Sequence, residues 1–187
     1  MDRRQRKTRE AILGAFTELL SKKKYEKITV GEIIERADVG RATFYAHFET
    51  KDFLLKALCE ELFCHIFDAA SGDGVSHRHI FECDSHAPMF LHLLSHLESN
   101  DNNILRLLSS ENTGIFVKYF KENLKELVEK SLVSLEGEED RLSRSFLVNH
   151  LASSFVEAVI WWIDGGMTES AESVYHRLES VTGQLIK

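Results

Sequence analysis

Proline is almost missing from this chain, one residue in 187, and glycine occurs only ten times, so little interrupts helix formation. Alternating runs of β-branched residues are scarce as well, and the two absences together predict an all-α fold. The longest uninterrupted apolar run is about Ala158 to Ile163, far short of the roughly 20 residues that span a bilayer, so no membrane partner is expected. Residues Asp2 to Glu10 are highly charged and hold no apolar core of the kind a secretory signal carries. Three cysteines, Cys59, Cys64 and Cys83, cannot all pair and form no C-x-x-C, which favours a reducing cytoplasm; Cys59 and Cys64 are expected to be core thiols. No G-x-S-x-G, G-x-x-x-x-G-K, G-x-G-x-x-G or H-E-x-x-H is present, and acidic runs such as Glu138 to Asp140 suit helix caps rather than paired catalytic carboxylates. No enzyme activity, catalytic residue or cofactor is expected.

What is present is a globular composition, 43% hydrophobic and 28% charged, with an uneven charge distribution. The net charge of −7 argues against a nucleic-acid binder when taken whole. Residues 1–56, however, carry 13 Lys and Arg against 9 Asp and Glu, while residues 57–187 carry 10 against 21. A basic head on an acidic body suits a protein that docks DNA with one end.

The head holds the most informative stretch, residues 29 to 51. Thr29 followed three residues later by Glu32 is a capping box. The helix it opens has Val30, Ile33, Ile34 and Ala37 on one stripe, and Asp38-Val39-Gly40 then breaks the pattern, with Gly40 able to cap a second helix from Arg41 to about His47. That helix would bury Phe44 and Phe48 and present Arg41, Ala42, Thr43, Tyr45 and His47. Two short helices joined by a three-residue turn have the geometry of a helix-turn-helix, whose second helix enters the major groove. Arg41 can reach guanine, and Ala42 or Thr43 a thymine methyl. Tyr45, His47 and Lys51 can donate to phosphates.

The run "ITVGEIIERADVGRATFYAHFETKDFLL" resembles the DNA-binding segment of TetR-type (TetR/AcrR-like) transcriptional regulators, with its Thr-Val start, "TFY-x-HF" recognition helix and following "x-x-K-x-x-L". The resemblance covers about residues 8 to 56. It departs from the common pattern at Asp38, where Gly is usual, and at Gly40, where Ser or another capping residue is usual and often touches a phosphate. The resemblance implies a three-helix DNA-binding domain over residues 1–52 and a helical ligand-binding and dimerisation domain over 53–187. It also implies DNA contacts from Thr29, Gly40, Arg41, Ala42, Thr43, Tyr45, His47 and Lys51.

Along the chain, Arg3, Arg4, Arg6, Lys7 and Arg9 read as a mobile basic leader suited to phosphate attraction. Amphipathic helices follow over Thr8 to Leu20, Thr50 to about Ala70, Met89 to Leu97, Ile104 to Ser109, Thr113 to Leu135, Asp140 to about Asp164, and Thr168 to about Ile186. The helix from Thr50 starts in the head and ends in the body, a mechanical link between them. The last two helices are apolar on more than one face, with Val148, Ala152, Val156, Ile160, Trp161, Val174, Leu178, Val181 and Leu185 beyond a single stripe, which predicts a homodimer through those helices. Two-fold pairing also matches a palindromic double-stranded operator.

Histidine is abundant, nine in all. His77, His79, Cys83 and His86 lie in the irregular stretch 71–87, and His92 and His96 follow at i, i+4 spacing, but the pattern matches no established metal site and none is assigned. The reading is a homodimeric, cytoplasmic, sequence-specific DNA-binding regulator, a repressor responsive to a small-molecule effector. The effector pocket would lie among the helices from Thr50 to Leu135, with Phe90, Phe116, Tyr119, Phe120 and Trp161 in its lining. Two alternatives stay open: a body that binds a protein partner as co-activator or recruiter, and a metal-sensing regulator.

Overall fold

In the computed structural model, residues 2–71, 88–99, 104–108, 114–131 and 141–182 are described, and every regular element among them is helical. Helix α1 (Arg3–Lys22), a 3-10 turn (Tyr25–Lys27), α2 (Val30–Arg36) and α3 (Arg41–His47) build the head. Helix α4 (Lys51–Ser71) leads into a body made of α5 (Met89–Glu98), α6 (Ile104–Leu108), α7 (Gly114–Ser131), α8 (Arg141–Asp164) and α9 (Ala171–Thr182). The buried apolar residues form one cluster that runs from Ile12 in α1 to Val174 in α9. Head and body therefore share α4 as a common wall, through Leu54, Leu55, Leu58, Leu62 and Phe63.

Helix α1 begins five residues earlier than its apolar stripe predicts. Arg, Gln, Lys and Glu are good helix formers, so the basic leader continues the helix, and the Thr8 hydroxyl donates back to the Arg4 carbonyl at 3.0 Å. Its buried face is Ile12, Leu13, Ala15, Phe16 and Leu20, the 3–4 spacing expected of a stripe facing a core. Arg9 is not a free phosphate ligand. Its guanidinium meets Glu61 of α4 at 3.1 Å and lies over the Phe48 ring at 5.4 Å, which ties α1 to the shared helix.

In the body, α7 packs against both α4 and α8, and α9 packs against α5. Phe63 of α4 and Phe120 of α7 meet edge to face at 5.2 Å, and Phe90 of α5 meets Phe155 of α8 at 5.7 Å. Helix α9 starts three residues later than expected, because Ser170 supplies the cap: its hydroxyl accepts from the Ser173 N–H at 3.2 Å, while Glu98 of α5 accepts from the Ala171 N–H at 3.2 Å. Cys59 is buried in the core, where desolvation pushes its thiol well up, whereas Cys64 is exposed rather than the core thiol its helical position suggested. Cys83 lies outside the described residues, as do His77, His79, His86 and Leu185.

Helix α8 differs most from expectation. From Arg144 to Asp164 it is long and apolar enough to cross a membrane by length and composition, although no single apolar run in it is long. Its packing gives the reason for that composition. Val148, Leu151, Ala152, Phe155, Val156, Val159 and Trp162 are buried against neighbouring helices, and further apolar side chains point outward. Val148, Ala152 and Val156, expected on a pairing face, are thus already covered within the chain.

Candidate DNA-binding site

The site is built on the turn between α2 and α3. Thr29 caps α2 through the full box: its hydroxyl accepts from the Glu32 N–H at 3.3 Å, and the Glu32 carboxylate accepts from the Thr29 N–H at 2.9 Å. The Thr29 hydroxyl also donates to the same carboxylate at 3.0 Å. Lys23 pairs with Glu32 and, with the Thr29 backbone and hydroxyl, holds it down to about 2. Thr29 therefore fixes where α2 begins, and its hydroxyl proton is already committed. Glu18 receives Arg36 and Lys22, fastening α1 to the far end of α2.

The turn after α2 forces Asp38 into the left-handed region, φ 51°. This is the position just past the helix C-cap Ala37, and glycine adopts that geometry without a Cβ penalty. Asp38→Gly is expected to raise stability by roughly 0.5–1 kcal/mol, since a side chain in the left-handed region is strained even where Asp is tolerated. Chemical denaturation of the two proteins checks this; an unchanged or lower midpoint contradicts it. Gly40 caps α3 with extended backbone and contributes no side-chain bond.

Helix α3 then sorts its residues by face. Phe44 is wholly buried and Phe48 nearly so, with ring centroids 6.1 Å apart. Arg41, Ala42, Thr43 and Tyr45 are exposed, and His47 is half-buried. Within the described residues Arg41 makes no hydrogen bond or ion pair, so its five N–H donors face outward. A cleft of about 520 Å³ lies beside the helix end, between His47, Phe48 and Phe53 on one side and Gln5 and Arg9 on the other.

Lys51 is also held within the head. Its ammonium donates to the carbonyls of Tyr25 and Ile28, both at 2.9 Å, and sits over the Tyr25 ring at 4.0 Å. Two of its three N–H donors are thus engaged within the chain. The Tyr25 hydroxyl donates to Asp52, and burial together with that carboxylate pushes the phenol far up. Lys51 and Asp52 together clamp the 3-10 turn onto the start of α4, a strut that a pattern of helices and turns does not reveal.

The residues expected to line an effector pocket lie on three helices, α5, α7 and α8. Phe116 and Phe120 are wholly buried on α7, Tyr119 is half-buried on the same helix, and Phe90 faces Phe155. Trp161 is 55% exposed on the surface of α8. An all-round apolar helix gives no sequence signal for which tryptophan turns inward, and here Trp162 does, donating its indole N–H to the Glu169 carbonyl at 2.8 Å. Sequence reasoning also missed His65 of α4, which packs against His92 and His96 of α5 with ring centroids 5.1 and 4.9 Å away. Burial, followed by the neighbouring His96 and His65, lowers His92 to about 4.

A short capped helix, a tight turn and a second helix with an apolar inner face and a cationic, hydroxylated outer face define a helix-turn-helix head on an all-helical body. The chain belongs to the TetR family of bacterial transcriptional regulators. The family model for bacterial regulatory proteins of the tetR family matches residues 12–58, and a model described as a transcriptional regulator C-terminal region matches residues 84–184, more than half of the chain. The crystal structure of a TetR transcriptional regulator from Streptococcus agalactiae 2603V is 34% identical, aligns over 96% of each chain and has a TM-score of 0.67. The dihydroxyacetone kinase operon activator DhaS shares the fold at 21% identity, 96% coverage of each chain and a TM-score of 0.65. The HTH-type transcriptional regulator YxbF of Bacillus subtilis (strain 168) is 37% identical over 81 residues, which are 41% of this chain and 21% of that relative's length.

Proposed function

We propose that this regulator is a homodimeric, sequence-specific DNA-binding repressor whose α3 enters the major groove. Arg41, Ala42 and Thr43 read base edges, and Tyr45 and His47 hold phosphates, with the capped starts of α2 and α3 beside them. The observation that carries this reading is the sorting of α3: Phe44 and Phe48 fix the helix to the core, while a guanidinium with no partner among the described residues, a methyl and a hydroxyl occupy consecutive exposed positions at its N-terminal end. The basic residues of α1 add sequence-independent attraction.

Dimerisation is supported by what remains uncovered on the last two helices. Phe146 and Trp161 on α8 are 71% and 55% exposed, and Val181 on α9 is 66% exposed. These are the three most exposed large apolar side chains among the described residues, ahead of Tyr45, Phe53 and Ile115, and such bareness suits a partner surface. A second copy supplies one whose symmetry matches a palindromic operator. A small-molecule effector would act by shifting α4, which belongs to head and body alike. Such a protein works in the cytoplasm, where the DNA is.

The test of the readout is duplex binding by wild type and Arg41→Ala across a salt series. Loss of about 1–3 kcal/mol with relaxed preference at one base pair is the expected result for a bidentate guanine contact. Unchanged affinity and preference would remove Arg41 from the readout.

A further inference from the structure

His65, His92 and His96 form a compact group in the body, away from the DNA-binding helix. All three are buried, at 7%, 2% and 3% exposure. One nitrogen from each can be chosen so that all lie within 4.8 Å of one another, and the Nε2 atoms of His92 and His96 are already 3.1 Å apart. A tetrahedral zinc ion with Zn–N bonds near 2.0–2.1 Å holds its ligand nitrogens roughly 3.3–3.4 Å apart. The His92 and His96 nitrogens thus stand close to the required spacing, and in the set of three no separation exceeds it by more than about 1.5 Å. The scaffold favours such a site, because His92 and His96 occupy successive turns of one helix and His65 comes from the helix packed against it.

We propose that these three histidines are a binding site for one divalent transition-metal ion of the zinc, cobalt or nickel type. Imidazole is the ligand such ions share, and three protein ligands leave a fourth position for water or an incoming donor. The ion would clamp α4 to α5. The site stands independently of the DNA-binding reading, because binding is measured on the free protein.

The test is titration of the metal-stripped full-length protein with Co²⁺. The expected result is one Co²⁺ per chain, visible ligand-field bands of tetrahedral or five-coordinate intensity, no thiolate charge-transfer band, and bleaching of the bands by Zn²⁺. His65→Gln and His96→Gln, checked for retained helical content, should each weaken binding by at least roughly tenfold. The triple variant His77→Ala, His79→Ala, His86→Ala separates this site from the other histidines and should bind as wild type does. Should the buried variants not fold, wild type and the triple variant still decide. Absence of stoichiometric Co²⁺ uptake by wild type, a thiolate band, or loss of binding in the triple variant would overturn the proposal, as would unchanged binding in a folded His65→Gln.

Discussion

Phe44→Ala is expected to remove about 3–5 kcal/mol of stability, the range for truncating a fully buried phenylalanine. The side chain has no exposed surface and meets Tyr45 edge to face at 5.4 Å and Phe48 at 6.1 Å, so its loss opens a cavity in the buried core of the head. Chemical denaturation should show a lower midpoint, and duplex binding should fall with it, since α3 is held by this contact. A Phe44→Ala protein as stable as wild type would mean that α3 is not fixed by its inner face.

The double variant Phe146→Ser, Trp161→Ser carries the second large effect. If these side chains are the centre of the pairing surface, sedimentation should show the variant as a monomer at concentrations where wild type is a dimer. Duplex affinity should drop on the order of 100-fold, because two linked heads bind as one bivalent unit and a lone head does not. Helical content should stay that of wild type, since neither side chain is buried within the chain. A variant that remains a dimer would place the interface elsewhere on the body.

These two expectations mark where the sequence is informative and where it is not. The head is legible because its signals are local. A cap three residues before its partner glutamate, a turn that breaks a stripe, and two phenylalanines four residues apart each fix geometry within one or two helical turns. The faces of α3 follow directly from that spacing. Contacts between elements distant in sequence are not legible. Nothing local says that Arg9 reaches Glu61, that Lys51 serves the carbonyls of Tyr25 and Ile28, or that His65 joins a pair of histidines on another helix. Helix α8 is opaque for a different reason. With apolar residues on every side, its period cannot say which are covered by the chain, and only packing separates inward Val156 and Trp162 from outward Phe146 and Trp161. The start of α1 departs from expectation because an apolar stripe marks where a helix is buried, not where it begins.

A two-fold pair of heads, each reading the major groove through α3, is tested most directly by selecting duplexes from a random pool with the purified full-length protein. The enriched sequences should contain two inverted half-sites with centres about one helical turn apart, roughly 10–10.5 base pairs or a multiple of it, each bound through one α3. Enrichment should weaken with rising salt as phosphate contacts are screened. No enrichment at low salt, or a single unrepeated site bound equally well by Arg41→Ala, would contradict it.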